Sequence, residues 1–327
     1  MTDRPLVSVV TPFHNTAAYL AECIESVLAQ TYPAFEHVLL DNRSSDGSTA
    51  IAEEYARRDP RIKLHHTDTL LPQDLNYSHA LRLISGESRY VKVVQADDWV
   101  FPRCLEEMVA LAEAHPSIGL VSSYWLKGAE LMGQGLPVSQ TFMPGRDAAR
   151  FQLQSEAHLL GSATTVLFRA DVVRGTHPFY DPAVPHADTE ACYRTLRTTD
   201  FGFVHQVLSY LRVAAESRMG SVEAYHPWLM DRFIIIRKYG PDFLAHDEYD
   251  AVYSRWRERY FRWLGRVTIT QRDPSLWEYH RAGLATVGYD LRRRRLWKYA
   301  LLALAGILGH PWESAALLRR RLARRPE

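Results

Sequence analysis

The pattern of apolar and polar positions changes period repeatedly along the first 125 residues. Short apolar runs predict strands at residues 6–11, 35–40, 62–66, 90–94 and 118–124. Between them, apolar residues at intervals of three and four positions predict helices at 16–30, from the turn at 44–48 to 58, at 73–84 and at 102–115. Strands joined by helix-length connections form right-handed βαβ units. The sequence therefore predicts an α/β fold with a mostly parallel sheet.

The pattern loosens beyond residue 127. Residues 128–144 are rich in Gly and Pro and predict a loop. A mixed segment follows, with predicted helices at 146–154 and 186–197 and predicted strands at 163–169 and 201–213. From residue 222 onward the pattern is almost entirely helical. We therefore expect an α/β domain at 1–215 and an all-helical C-terminal region at 216–327.

Composition places the chain among ordinary globular proteins, with 46% hydrophobic and 24% charged residues. Cys23, Cys104 and Cys192 are far apart and form neither a disulfide framework nor a zinc spacing, which favours a reducing compartment. The N-terminus lacks the shape of a signal peptide. No apolar run reaches the ~20 residues of a membrane-spanning helix. These features predict a cytoplasmic location.

The C-terminal segment is strongly basic. Residues 290–327 contain ten Arg or Lys and three Asp or Glu, a net charge of +7. An apolar stretch at 296–308 lies between arginine clusters and begins beside Trp297, a pattern typical of a helix on an anionic bilayer. The alternative is a helix that packs on the rest of the chain or on a second subunit. No recognised nucleic-acid-binding module accompanies the basic residues, so we expect no nucleic-acid partner.

Two adjacent carboxylates, Asp97 and Asp98, follow the predicted strand at 90–94. Ligands of open α/β sheets bind at the carboxyl ends of strands. Mg²⁺ and Mn²⁺ prefer oxygen ligands and are commonly shared with substrate phosphates. The doublet therefore predicts a divalent-cation site. The alternative is that one of the two acids caps the following helix.

The first predicted strand runs into the loop that contains Thr11, Pro12 and Asn15. Backbone held open at such a loop can contact a flat base or a ribose. The alternative is a plain strand-to-helix turn with Asn15 or Thr16 as the N-cap.

Asp41 ends the second predicted strand, where it can accept a hydrogen bond from a ligand N–H such as the imide of uracil. The following Asp46 and Ser48 are expected to shape the turn and cap the next helix.

Three stretches in this order resemble the family 2 glycosyltransferases, which have the GT-A fold: VSVVTPFHN at 7–15, VLLDNRSSDGST at 38–49 and YVKVVQADDWVFP at 90–102. The resemblance covers about the first 215 residues. It implies an enzyme with a nucleotide-sugar-binding half at 1–100 and an acceptor-binding half at 101–215. Its donor would be a nucleotide-diphosphate sugar.

The resemblance also implies roles for individual residues. Thr11, Pro12 and Asn15 would border the nucleoside, and Asp41 would contact the base. Gln95 would bind a ribose hydroxyl. Asp97, with Asp98 nearby, would occupy the acidic motif that binds Mg²⁺ or Mn²⁺.

The resemblance assigns the catalytic base to Asp188 and the acceptor loop to Gly161 and Ser162. A carboxylate suits the base, because an acceptor hydroxyl must lose its proton as it attacks the sugar. Glu190 is the rival carboxylate. The alternative for Asp188 is an acid that the helix dipole favours at a helix start.

The chain departs from the family pattern in several places. Gln95 and Asn42 stand where many members have acids, and the region of residue 212 lacks a histidine that often follows the last strand of the family's catalytic domain. Glu216 or Arg218 could substitute for that histidine. Overall, we expect an inverting transferase that moves a sugar, UDP-linked by preference, to a glycan or lipid-linked acceptor in surface polysaccharide synthesis, located in the cytoplasm or peripherally on the plasma membrane.

Two alternatives belong to other functional classes. One is a catalytically inactive nucleotide-sugar-binding or scaffold protein of the same fold. The other is a nucleotidyltransferase, which is disfavoured because the loop after the first strand has no Gly, Lys or Arg.

Overall fold

A computed structural model describes residues 4–213, 225–270, 273–292 and 296–309. The chain divides into two compact units, Met1–Ser221 and Val222–Glu327. Glu216 and Arg218 lie outside the described residues, as do three arginines of the 292–295 cluster and the whole second arginine cluster.

The first unit is built on one mixed sheet. Its strands are β1 (Val7–Phe13), β2 (Phe35–Asp41), β3 (Ile62–His66), β4 (Tyr90–Val93), β5 (Trp99–Val100), β6 (Ile118–Lys127), β7 (Glu130–Met132), β8 (Phe142–Met143), β9 (Leu167–Arg169) and β10 (Asp200–Leu211). Its helices are α1 (Leu20–Leu28), α2 (Ser48–Arg58), α3 (Gln73–Ala80), α4 (Cys104–Ala114), α5 (Gly145–Gln154), α6 (Ala170–Arg174) and α7 (Ala187–Leu196). This architecture confirms the predicted α/β class.

The strand order is β3-β2-β1-β4-β9-β6-β10-β5. The strands β1 to β4 pair in parallel. Strand β9 is antiparallel to both β4 and β6, so β6 points the same way as β4, and β10 is parallel to β6. The carboxyl ends of β1, β2, β4, β6 and β10 therefore meet at one edge of the sheet.

The centre of the sheet is buried on both faces, as in most parallel sheets. Val7 and Val10 of β1 and Val91 of β4 are fully buried. The helix α1 packs against this layer with its predicted apolar stripe, of which Leu20 and Ile24 are fully buried. This packing holds the strand ends in place.

The structure differs from the sequence-based prediction in the segment directly before β9. Residues 163–169 are not one strand, because Ala163–Thr165 forms a 3-10 turn. The fully buried Lys92 of β4 donates hydrogen bonds to the backbone oxygens of Thr164 and, at 3.2 Å, Val166. A side-chain donor thus takes carbonyls that a strand ladder would use. The predicted loop at 128–144 likewise contains β7 and β8, which pair with β6 and β10.

The second unit is helical, as predicted. Its helices are α8 (Pro227–Phe243), α9 (His246–Thr270), α10 (Pro274–Ala285) and α11 (Trp297–Gly309). The buried His280 of α10 bonds two neighbouring segments. Its Nδ1 lies 2.7 Å from the Tyr260 hydroxyl of α9, and its Nε2 lies 2.9 Å from the backbone oxygen of Tyr225, which precedes α8. Within the described ranges, no helix is long and apolar enough to cross a membrane.

At Gly145, the first residue of α5, this helix lies very close to the segment before β10. A Cβ atom at Gly145 would lie 1.9 Å from the Thr199 backbone oxygen. We therefore expect Gly145→Ala to lower the free energy of unfolding by about 1–3 kcal/mol through overpacking. The matched variant Gly86→Ala places its methyl group in open space and should change stability by less than about 0.5 kcal/mol. Urea denaturation of the full chain measures both, and equal stabilities would contradict this packing.

Candidate functional site

The loops after β1 and β2 are held together at the sheet edge. The Asn15 side-chain oxygen accepts a hydrogen bond from the Ser45 backbone N–H at 2.8 Å, and the Asn15 backbone N–H donates to Ser44 Oγ at 3.0 Å. Asn15 has a φ of 51°, a left-handed conformation that asparagine tolerates. The exposed Asn15 thus lies between the two loops, beside the end of β2.

Asp41 is buried at the carboxyl end of β2. Its oxygens accept hydrogen bonds from the Ser44 backbone N–H at 2.9 Å and the Thr49 hydroxyl at 2.6 Å. Burial raises the pKa of Asp41, but these hydrogen bonds outweigh it and leave the pKa below its usual value. The Ser44 hydroxyl and His66 also approach the carboxylate, and the His66 contact is the long one, with Nδ1 3.5 Å from Oδ2 and a half-exposed side chain. A ligand N–H can therefore bond this ionised group by displacing His66.

Thr11 and Pro12 do not present their side chains to the loop. Both are buried, because β1 continues to Phe13 and Pro12 remains in register with Leu40 of β2. The Thr11 hydroxyl lies 3.0 Å from Nε2 of the buried His37. Any nucleoside contact from this pair would therefore come from the backbone.

Asp46 and Ser48 shape the turn before α2, as the sequence predicts, but they do not cap that helix, whose N-cap residue is Gly47 with no side-chain cap hydrogen bond. Asp46 accepts hydrogen bonds from the backbone N–H groups of Ala17 and Ser48, at 2.9 and 3.0 Å, and from the Ser48 hydroxyl. The Ser48 hydroxyl oxygen in turn accepts from the Thr16 backbone N–H at 2.8 Å. These bonds join the first loop to the start of α2.

Asp98 is almost fully buried, with 4% of its surface exposed. One carboxylate oxygen accepts the Thr164 hydroxyl at 2.6 Å, and the other accepts the Arg212 backbone N–H at 3.0 Å. Burial, followed by the charge of Asp97, raises the pKa of Asp98 to about 7. The carboxyl group thus ties the end of β4 to the 3-10 turn and to the end of β10.

Asp97 is the more open member of the doublet, although burial still raises its pKa. Arg212 lies beside it. The Arg212 Nε donates to the Asp97 backbone oxygen at 3.0 Å, its guanidinium pairs with Glu22, and its Cζ lies 4.6 Å from the centre of the Tyr19 ring. The sequence signal for Arg212 is a cation directly after the strand that ends at this edge, which the search for a histidine at this position does not detect.

The carboxylates of Asp97 and Asp98 do not form a complete binding site for a divalent cation by themselves. Among the described residues, no group of three or more His, Cys, Asp or Glu side chains could hold an ion. Both oxygens of Asp98 are already engaged, whereas Asp97 offers a carboxylate. Mg²⁺ is commonly held by one or two carboxylates, waters and substrate phosphates. The residues therefore fit an ion that Asp97 shares with a bound diphosphate.

A series of contacts leads from Gln95 to Tyr180. The Gln95 side chain donates to the Tyr77 hydroxyl at 3.2 Å, and its backbone N–H donates to Thr164 Oγ1 at 3.1 Å. The Tyr77 ring meets the Tyr180 ring edge-on, with centroids 6.2 Å apart. The Ser78 hydroxyl donates to the Tyr180 backbone oxygen at 2.9 Å, which fixes this contact.

Asp188 stands near the end of this series, in the first turn of α7. It is half-buried, and its carboxylate accepts the Thr189 backbone N–H at 2.7 Å. Burial raises the pKa of the Tyr180 phenol, and the nearby charge of Asp188 raises it further. Glu190, the rival carboxylate, is 2% exposed and pairs with Arg194. Of the two acids, only Asp188 lies beside Tyr180 in a half-open position.

Gly161 and Ser162 lead into the 3-10 turn. A Cβ atom at Gly161 would lie 2.3 Å from Thr165 Oγ1, so only glycine fits. The Thr165 hydroxyl donates to the Ser162 backbone oxygen at 2.9 Å. The buried Ser162 hydroxyl finds no partner among the residues that the structure describes.

Comparison with known proteins identifies the family. The sequence model of "Glycosyl transferase family 2" matches residues 8–174, just over half of the chain, and the chain belongs to this family. The putative glycosyltransferase EpsE of Bacillus subtilis is 39% identical over 116 residues, which are 35% of this chain and 41% of EpsE. The putative teichuronic acid biosynthesis glycosyltransferase TuaG of the same organism is 26% identical over 168 residues, 51% of this chain and 63% of TuaG. The chain thus spans about four-tenths of EpsE.

Solved structures confirm the GT-A fold. The chain is similar to S. aureus TarS 1-349 in complex with UDP-GlcNAc, with a TM-score of 0.60, 18% identity, and coverage of 86% of this chain and 81% of that one. The mannosyltransferase PcManGT from Pyrobaculum calidifontis, in complex with GDP-Man and Mn²⁺, gives a TM-score of 0.54, 17% identity, and coverage of 97% and 84%.

The raised pKa of Asp98 predicts a specific pH dependence of stability in chelator-treated protein. The carboxyl group ionises at about 3.8 when unfolded and at about 7 when folded. Between these values the folded chain holds a proton that the unfolded chain has lost, so stability falls as the pH rises, by at most about 1.4 kcal/mol per pH unit. The side chain of the Asp98→Asn variant cannot ionise, so the variant should not lose this stability as the pH rises. Urea denaturation across this pH range should show the wild type losing stability relative to Asp98→Asn; parallel curves would contradict the burial of an ionisable Asp98.

Proposed function

We propose that the chain is a glycosyltransferase that moves a sugar from a nucleotide-diphosphate sugar to an acceptor hydroxyl with inversion of the anomeric centre. One observation carries the proposal: each of two carboxylate pairs contains one engaged and one more open member. Asp98 and Glu190 are buried and bonded to protein donors, whereas Asp97 and Asp188 are partly open. Contacts run from Gln95 through Tyr77 to Tyr180, and the charge of Asp188 raises the pKa of the Tyr180 phenol.

The loops after β1 and β2 suit a nucleoside. Asn15 is exposed between them, and the ionised Asp41 can accept a base N–H in place of its long contact with the half-exposed His66. A hydrogen-bond acceptor such as the Asp41 carboxylate matches the imide N–H of uracil, so we propose a UDP-sugar. The complex of the structurally similar TarS with UDP-GlcNAc supports uridine, while the complex of PcManGT with GDP-Man represents the competing base.

Asp97 is proposed to hold the diphosphate through Mg²⁺ or Mn²⁺, with Gln95 at the ribose. A bound divalent cation would stabilise the negative charge that develops on the departing nucleoside diphosphate. Arg212 is proposed to position Asp97, because its Nε bonds the Asp97 backbone oxygen and its own backbone N–H bonds Asp98. Asp98 would support the doublet rather than coordinate the ion.

Asp188 is proposed as the catalytic base. The acceptor oxygen forms a bond to the anomeric carbon, the bond from that carbon to the phosphate oxygen breaks, and Asp188 takes the hydroxyl proton. A single displacement of this kind inverts the centre. Gly161 and Ser162 would border the acceptor, since glycine brings the backbone close and the Ser162 hydroxyl can bond a sugar oxygen.

The pathway is proposed from the relatives. The name of TuaG refers to teichuronic acid biosynthesis, which favours a polysaccharide or lipid-linked glycan as acceptor and a cytoplasmic site of action. An inactive nucleotide-sugar-binding scaffold is the alternative, because Gln95 and Asn42 replace acids. Asn42 has a structural reason to be an amide: it donates to the Leu71 backbone oxygen at 2.8 Å and accepts from the Leu71 N–H at 2.9 Å.

The proposed base can be tested by Asp188→Asn. We expect sugar transfer, or slow donor hydrolysis, to fall by about 10²–10⁴-fold while nucleotide affinity stays within experimental error. The exposed control Asp171→Asn, which alters an ion pair with Arg169, should retain activity. Product analysis by chromatography over a panel of nucleotide sugars gives the rates. A wild type with no turnover on any donor would favour the scaffold, and full activity in Asp188→Asn would refute this role.

The proposed cation site can be tested by the thermal stability of Asp97→Asn. Binding to the folded state stabilises by mass action, so UDP with Mn²⁺ should raise the wild-type melting temperature more than UDP alone. Asp97→Asn should lose the Mn²⁺-dependent part and keep the part that UDP alone produces. Asp171→Asn, which alters the exposed ion pair with Arg169, is the control and should keep both parts. An unchanged Mn²⁺ effect in Asp97→Asn would rule out Asp97 as the cation-binding residue.

A further inference from the structure

The helix α11 exposes an apolar face that no described residue covers. Trp297, Leu301, Leu302 and Leu304 are 63%, 62%, 58% and 41% exposed. At 100° per residue these positions fall on one side of the helix. Isolated exposed apolar residues are common, but four large ones on adjacent turns of one helix form a contiguous patch, which usually marks an interaction site.

The opposite face of α11 is fixed within its own unit. Tyr299 and Ala300 are buried, and both approach Gly265 of α9. The Tyr299 hydroxyl donates to Glu258 Oε2 at 2.8 Å, and its ring lies 5.9 Å from that of Phe261. The helix therefore cannot rotate to bury its exposed leucines without breaking these contacts.

The sequence from residue 291 into α11 is basic, although Asp290 pairs with Arg292 just before it. Residues 291–312 contain no Asp or Glu, whereas arginines occupy positions 292–295 and Lys298 follows. Lys298 is exposed, and its Nζ lies 4.5 Å from the centre of the Tyr299 ring. A basic segment with an exposed apolar face is typical of helices that lie in the interface of an anionic bilayer.

We propose that this face of α11 docks on an anionic lipid surface. A second copy of the chain would bring another basic segment and a second Lys298 to the interface, so charge disfavours a dimer. Residues 310–327 contain five Arg and two Glu and have the same sign, so charge also disfavours them as a cover. Anionic headgroups supply the missing charge, and the acyl region accommodates Trp297 and the leucines. This docking goes beyond the proposed sugar transfer and does not depend on it.

Vesicle co-sedimentation of the full chain, without substrate, tests the proposal. Vesicles of equal parts phosphatidylcholine and phosphatidylglycerol should retain the wild type, and phosphatidylcholine alone should retain it at least about tenfold less. The double variant Leu301→Glu with Leu304→Glu should lower partitioning to the anionic vesicles by at least about tenfold, because each leucine loses its transfer into the bilayer. The matched control, Leu70→Glu with Val138→Glu, changes two exposed apolar residues of the first unit and should bind like the wild type.

A second pair, Leu301→Ala with Leu304→Ala, keeps helix propensity and should give a smaller loss, which guards against a Glu variant that fails to fold. Equal retention of the wild type and a folded variant would overturn the proposal. A dimer in light scattering that the Leu301 and Leu304 variants dissociate would also overturn it, since a second copy would then cover the face.

Discussion

The buried carboxyl group of Asp98 is the interaction on which the candidate site depends. It receives a hydroxyl from the 3-10 turn and a backbone N–H from the end of β10, and so joins three segments that are far apart in sequence. A carboxylate without these donors would be costly to bury. The preceding Asp97 lies in a less enclosed environment than Asp98.

A buried cation supports the same turn from the other side. Lys92 on β4 donates to the carbonyls of Thr164 and Val166, and burial lowers the pKa of its amine. Thr164 therefore stands between a lysine that binds its carbonyl and an aspartate that binds its hydroxyl. This arrangement also places Gly161 and Ser162, because the turn fixes the direction of the loop that leads into it. The ends of β4 and β10 and the 3-10 turn are thus connected through buried polar groups.

Much of the architecture was predictable because it depends on local periodicity. The strand Ile62–His66 matches its predicted bounds, and polar clusters after β1, β2 and β4 meet at one edge as parallel strands require. Long-range polar contacts were not predictable. Nothing near Thr164 in the sequence indicates a hydrogen bond to Asp98. The spacing of Asp188 and Glu190 likewise does not indicate that Arg194 pairs with Glu190. The burial of the Thr11 side chain was not predictable for the same reason, because its hydroxyl bonds His37 of the neighbouring strand.

Within the doublet, we propose that Asp98 supports the site and that Asp97 binds the ligand. A crystal structure of the protein soaked with UDP and Mn²⁺ tests it most directly. The account predicts the ion between the Asp97 carboxylate and the diphosphate, with Asp98 still bonded to Thr164 and to the Arg212 N–H. An ion held by Asp98 with Thr164 displaced, or a nucleotide bound away from the ends of β1, β2 and β4, would contradict it.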